Sequence, residues 1–323
     1  MRGILRCAAG AAGALVLACV ACCGRQTAAG REPSGEGVAG MKTKVRQPAV
    51  AGQFYPGNAA ALRKEIRGLL DAAPGRRVEG RIAGLISPHA GYAYSGATAA
   101  SGYALLAGKG FRRAVVLAPS HRVGFRGAAL TDAAVYRTPL GDVPVDRAAC
   151  DELAKSPGYA VLPRAHEGEH SLEVQVPFLQ ETLGEFRLVP VVVGDVAPAD
   201  CAALAAPLKT LLDAETVIIA SSDFTHYGAN FGYLPFTGEV KEKLKKLDLD
   251  AAGFARRGDA AGFADYVART GATICGHAPI GILLEALPAD AAGTLLQYTT
   301  SGELTGDWSH CVSYVSMLFT TQN

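Results

Sequence analysis

The sequence predicts a single α/β domain with a largely parallel central sheet flanked by helices, and three observations point there. Short apolar runs of strand length alternate with segments of helical period along most of the 323 residues. Several of these runs, such as Ala114–Ala118 and Val217–Ser221, are apolar without alternation, as strands buried on both faces are. The composition, 49% hydrophobic and 19% charged, supplies enough apolar surface for one large core.

Taken in order, Arg46–Tyr55 reads as an extended entry segment, and Ala59–Leu70 as a helix with Leu62, Ile66 and Leu69 or Leu70 on one face. Ile82–Ile86 is a strand, Gly96–Ala107 a helix of small residues, and Ala114–Ala118 the next strand; strand, helix, strand predicts a parallel crossover. Gly127–Asp146, broken at Thr138–Gly141, predicts a hairpin laid beside the main sheet. Helices are expected over Arg147–Lys155 and from His170 through Leu179, the second having to accommodate Pro177. Arg187–Val193 and Val217–Ser221 are strands separated by a helix over Asp200–Leu212. Helices follow over Glu239–Arg256 and Ala260–Thr270, a third starts at the Cys275 segment and runs to Leu287, and strands Thr294–Thr300 and Cys311–Phe319 close the chain.

The N-terminus is separate. Met1–Arg6 is short and basic, and Ala8–Ala18 is uncharged and apolar but too short for an ordinary membrane span, the pattern of an export signal. Val16–Cys19 resembles a lipoprotein cleavage box, with Cys19 the expected lipidated residue and Cys22 the other candidate; an ordinary secretory signal is the alternative. The expected organisation is thus a leader over 1–23, a flexible tether over 24–44 and one domain over 45–323, exported and either anchored by lipid or periplasmic. Of eight cysteines, Cys150, Cys201, Cys275 and Cys311 lie in the body; their wide spacing does not look like a disulfide framework, and all but Cys275 read as small buried hydrophobes. Net charge is +1, and the one basic run, Lys241–Lys246, reads as a solvated helix face, so nucleic acid is not an expected partner.

The chemistry collects where apolar runs end. His89 follows Ile82–Ile86 in a Ser-Pro-His-Ala-Gly-Tyr turn, His121 follows Ala114–Ala118 in Pro-Ser-His, and Val217–Ser221 leads to Asp223 and His226. Cys275 opens the apolar Ile274–Gly281 stretch. If the runs are neighbouring strands, their polar ends converge on one crevice, the usual ligand position of open α/β sheets. Two imidazoles and a thiolate there can hold a transition metal. His226 can act as general acid or base with Asp223 orienting it, or Asp223 can be a helix cap and His226 incidental. Cys275, just ahead of a helix, is expected to ionise more readily than a free thiol, and His277 is either a supporting partner or an exposed residue. His166–His170 satisfies the His-Glu-x-x-His spacing of zinc peptidases, but Gly168 inside it and Leu162–Pro163 before it predict a loop entering a helix near Ser171, a coincidental match.

Together, Ser-Pro-His89-Ala-Gly-Tyr, Pro-Ser-His121, Glu169-His170-Ser-Leu-Glu173, Asp223-Phe-Thr-His226 and Ile274-Cys275-Gly-His-Ala-Pro-Ile-Gly281 resemble the Memo family, whose bacterial and archaeal members are called AmmeMemoRadiSam system protein B. The resemblance spans about Gln47 to Phe319. It implies the fold of class III extradiol dioxygenases, His89, His121 and Cys275 as metal ligands, and Asp223 and His226 lining the same pocket. It implies one iron or copper ion, with zinc also compatible, and companion proteins of the AMMECR1 type and of the radical-SAM class. The thiol stands where extradiol enzymes have a carboxylate, a softer ligand set that argues against catechol ring cleavage and for Cu(I) or sulfur redox chemistry.

Three functions follow: a mononuclear metal-dependent oxidoreductase in which His226 moves protons, a binding module that holds an anionic or peptide ligand in the same pocket without turnover, and a cysteine hydrolase with Cys275 as nucleophile and His226 as base.

Overall fold

The computed structural model describes residues 43–322. The expected leader over 1–23, the lipidation site at Cys19 and the tether up to residue 42 lie outside the described residues.

The strands are β1 (Val45–Arg46), β2 (Arg81–Ser87), β3 (Arg113–Pro119), β4 (Ala128–Leu130), β5 (Val135–Thr138), β6 (Gly141–Pro144), β7 (Tyr159–Val161), β8 (Arg187–Val193), β9 (Thr216–Ser221), β10 (His226–Gly228), β11 (Ala292–Thr300) and β12 (His310–Thr321). The helices are α1 (Ala59–Asp71), α2 (Tyr92–Tyr103), α3 (Arg147–Leu153), α4 (Arg164–Glu167), α5 (His170–Glu173), α6 (Val176–Leu183), α7 (Cys201–Lys209), α8 (Val240–Arg256), α9 (Ala260–Thr270), α10 (His277–Ala286) and α11 (Ser301–Thr305).

A nine-stranded sheet runs β10-β12-β2-β9-β3-β8-β4-β7, with β11 pairing β12. Its centre, β2-β9-β3-β8, is parallel, as the apolar runs and intervening helices predict. Towards the edges it turns mixed: β12 is antiparallel to β2, β10 and β11, and β4 is antiparallel to β8. The expected parallel character therefore belongs to the centre. Parallel pairing needs a long crossover between strands, whereas β11 and β12 are joined by little more than the short α11 and can only turn back. The hairpin expected within Gly127–Asp146 is β5–β6, turning at Thr138–Gly141; it joins β1 in a small second sheet, while β4 enters the main one.

Helices cover both faces. A Cβ on Gly84 would meet Leu283 of α10, whereas Leu85 lies against Gly102 of α2. Successive residues of a strand point to opposite faces, so α10 and α2 pack on opposite sides of β2. At both glycines a neighbouring leucine side chain fills the space a side chain would need: a Cβ on Gly102 would stand 2.5 Å from Leu85. The expected helix from His170 is split into α5 and α6, because Pro177 lacks an N–H and is accommodated only in the first turn of a new helix. The α2 helix starts earlier than its small-residue run, at Tyr92, directly after the His89 turn. Strands β7 and β10 have three residues each, too few to show a period. Cys150, Cys201 and Cys311 are buried free thiols, as expected. Among the described residues no helix is long and apolar enough to cross a membrane.

Candidate metal centre

In the sheet order, β9 lies between β2 and β3, so the C-terminal ends of three adjacent parallel strands deliver His89, His121 and the Asp223–His226 turn to one crevice. The Cys275 segment is stitched to the same place by a bridge between Thr225 and Ile274 and by Gly276 N–H donating to Ser222 Oγ at 3.0 Å. A Cβ on Gly276 would stand 2.4 Å from the Ser222 Cβ, so only glycine lets this turn sit so close to the end of β9. His89, His121 and Cys275 each place one donor atom within 4.8 Å of the other two.

Hydrogen bonds fix which nitrogen each imidazole offers. Ser221 Oγ donates to Ser171 O at 2.6 Å and accepts from Gln175 Nε2 at 2.8 Å. With its own proton so committed, it accepts from His89 Nδ1 at 2.8 Å, which leaves the His89 Nε2 lone pair facing Cys275 Sγ at 3.1 Å. His121 Nδ1 donates to Glu169 Oε1 at 2.9 Å, leaving Nε2 bare, and the His121 backbone N–H donates to Glu169 Oε2 at 2.6 Å. A carboxylate behind a metal-binding imidazole is the common way to fix tautomer and ring orientation. The two arms differ: His89 is 2% exposed, whereas His121 is solvent-exposed. The donor set of two imidazoles and a thiol fits a transition ion of intermediate or soft character, such as iron, copper or zinc.

Burial, and then the neighbouring His121, His170 and His226, hold His89 well below the ordinary imidazole pKa, so it is neutral and free to ligate. Burial opposes ionisation of Glu169, but hydrogen bonds from the His121 side chain and backbone outweigh it and bring the carboxyl down to about 2. The expectation for Cys275 is corrected. Burial first, and then the charge of Asp223, push its thiol well above the usual range, outweighing the hydrogen bonds that favour the thiolate. Coordination removes that proton, whereas a free nucleophile would have to lose it unaided.

Asp223 and His226 come to the crevice, but not as a hydrogen-bonded pair. Asp223 Oδ1 accepts from the His89 backbone N–H at 2.7 Å and so fixes the His89 turn. His226 is oriented instead by Thr273: its Nδ1 donates to Thr273 O at 3.1 Å, and its backbone N–H to Thr273 Oγ1 at 3.0 Å. Its Nε2 is left without a hydrogen bond among the described residues, as a proton-transfer group requires. His277 is exposed, with Nδ1 donating to Ile274 O at 3.0 Å.

The His-Glu-x-x-His match dissolves as expected, since α4 ends at Gly168 and α5 starts at His170. His166 is buried, its Nδ1 accepting from the Tyr136 hydroxyl and its Nε2 donating to Ala129 O at 3.0 Å. His170, by contrast, belongs to the crevice, its ring 4.7 Å from that of His121 and 5.6 Å from that of His89. Glu169 and His170 are the site residues that the chemistry of the sequence left without a role; their place in one of the family motifs was the signal. Two further residues support them from below. Buried Arg46 donates to the carbonyls of His166 (2.9 Å) and Glu169 (2.6 Å) and pairs with Glu173. Glu173 in turn accepts from the backbone N–H groups of Ala49 and Val50 and from the Tyr55 hydroxyl, tying the entry segment to the loop that carries Glu169.

The family model described as Memo-like protein matches residues 46–318. A MEMO1 family protein of Methanopyrus kandleri is 38% identical over 290 residues, covering 85% of this chain and 98% of that protein. One from Thermoplasma volcanium is 34% identical over 279 residues, with 85% and 98% covered. The memo-1 homolog of Caenorhabditis elegans is 33% identical over 300 residues, covering 88% of this chain and 85% of its own length. With the motifs, the fold and these matches in agreement over nearly all the described residues, the chain belongs to the Memo-like family.

Proposed function

We propose that this chain is a mononuclear metal-dependent oxidoreductase that holds one iron or copper ion through His89 Nε2, His121 Nε2 and Cys275 Sγ. The observation that carries the reading is the donor geometry: three ligand atoms within 4.8 Å, the two imidazoles already fixed in the tautomer that ligation needs. When bound, such an ion supplies one-electron redox chemistry and coordination positions open to a ligand from solvent.

The chain's own residues do the rest. Ser221 and Gln175 keep His89 rigid, Asp223 fixes the backbone of its turn, and Glu169 aims His121. His226 Nε2 takes a proton from a bound ligand or returns one, its other nitrogen being occupied by Thr273 O. Exposed Phe231, edge-on to the His226 ring at 5.3 Å, offers an apolar wall beside that imidazole. The cysteine hydrolase reading loses support because the imidazole at the thiol is His89 rather than the expected base His226, and burial keeps the thiol protonated.

The test is metal content by mass spectrometry on protein prepared without oxygen, beside His89→Ala and Cys275→Ala. The expected result is iron or copper in the wild type that exceeds the content of either variant by about one ion per chain, the ion held by the thiolate centre. Wild-type protein that carries no metal and takes none up on reconstitution would overturn the reading and favour the binding module.

A further inference from the structure

Orienting His121 does not account for everything gathered around Glu169. Its Oε2 is used by the His121 backbone N–H. Its Oε1 meets His121 Nδ1 at 2.9 Å and His170 Nδ1 at 3.3 Å, with the Ser171 N–H at 3.0 Å. An orienting carboxylate needs only the first imidazole. His170 has Glu169 as its one polar partner among the described residues, its side chain is 18% exposed, and its ring is inclined by only 28° to that of His121. His121, Glu169 and His170 place one donor atom each within 4.8 Å of the other two, and neither His89 nor Cys275 is in that group.

We propose that His121, Glu169 and His170 form a second divalent-cation site, next to the thiolate centre and sharing His121 with it. The spacing is that of ligands around one ion: with bonds of about 2.1 Å, donors at right angles stand about 3.0 Å apart and tetrahedral ones about 3.4 Å. The two separations from Glu169 Oε1, 2.9 Å to His121 Nδ1 and 3.3 Å to His170 Nδ1, fall at these values, and all three donors lie within 4.8 Å of one another. Two imidazoles and a carboxylate make a harder set than two imidazoles and a thiolate, suited to Fe(II), Mn(II), Co(II) or Zn(II) rather than Cu(I). His121 serves both sites through opposite nitrogens, Nδ1 towards Glu169 and Nε2 towards the thiol side. A cation entering the second site displaces the Nδ1 proton to solvent, and no electron transfer is involved.

Anaerobic titration of the full chain with Co(II) tests this without any need for turnover. A thiolate-bound Co(II) gives an intense near-ultraviolet sulfur-to-metal band, and one bound by nitrogen and oxygen gives only weak visible bands. The expected result is two equivalents bound, one of each kind. His170→Ala and the more conservative His170→Gln should both lose the equivalent without the sulfur band and keep the other, while Cys275→Ser does the reverse; circular dichroism checks that each variant folds. A single equivalent carrying the sulfur band, or a second one that survives both His170 variants, overturns the second site and leaves the thiolate centre standing. A single equivalent without the band, lost in the His170 variants, upholds the second site and overturns the thiolate centre.

Discussion

The two ends of the parallel strands differ in a way that volume alone would misread. At the N-terminal end, where β3, β8 and β9 begin, lies a cavity of about 810 Å³ lined by Arg63, Arg113, Asp146, Glu181 and Asp213 among others. Its charges largely answer one another: Arg113 pairs with Asp146 at 2.9 Å and Arg63 with Glu181 at 3.0 Å. At the C-terminal end the polar side chains of His89, Glu169, Ser221 and Asp223 are buried, and imidazole lone pairs are left over after the hydrogen bonds are made. The lesson is that capacity for chemistry follows convergent donors with nothing else to bind rather than the size of a hollow.

The sharpest way to break this comparison is to remove the same kind of interaction at each end. The Arg46–Glu173 pair under the metal centre has side chains 2% and 1% exposed, against 29% and 8% for Arg113–Asp146. Glu173→Gln leaves a buried guanidinium without its counter-charge, and a loss of about 3–5 kcal/mol in denaturant unfolding is expected. A loss under 1 kcal/mol, within the range of a surface pair, would show that the C-terminal end is not built as tightly as its burial implies.

Acid should act on the same region next. Burial holds His166 down to about 4, against an ordinary value of 6.5, with the backbone bond to Ala129 opposing only in part. The folded state thus refuses a proton that the unfolded chain accepts, so stability is full above about 6.5 and falls as pH drops towards 4. By pH 5 the contribution lost is about 2 kcal/mol. Unfolding at pH 7 and pH 5 should show that difference between wild type and His166→Gln; equal slopes would refute it.

The smallest effect is expected at the other end. Arg113→Ala removes a partly exposed ion pair and should leave metal affinity unchanged while costing about 1 kcal/mol or less. Metal binding that weakened with it would mean that the two ends of the sheet are coupled.

Much of this was legible in the residues. The central strands and their order of helices followed from apolar periodicity, since burial on both faces writes itself into a strand as an unbroken apolar run. His89, His121, Asp223, His226 and Cys275 were legible because each stands where such a run ends or an apolar helix begins. Glu169 and His170 were legible only as part of a family motif, because the five residues His166–His170 also spell a peptidase motif, and only the break at Gly168 separates buried His166 from His170 in the crevice. The pairing of Arg46 with Glu173 was invisible for another reason: two residues 127 apart leave no local pattern.

The sequence by itself determined which of the longer segments become strands and helices, and which side chains are available to bind a cation, because both are set by local periodicity and residue chemistry. The tertiary structure decided partners and protonation. It put β9 between β2 and β3, gave Asp223 to the His89 backbone instead of to His226, and set the Cys275 thiol beside Asp223 in a buried crevice. Hydrogen-bond partners and desolvation depend on neighbours remote in the chain, and these exist only once the sheet has assembled.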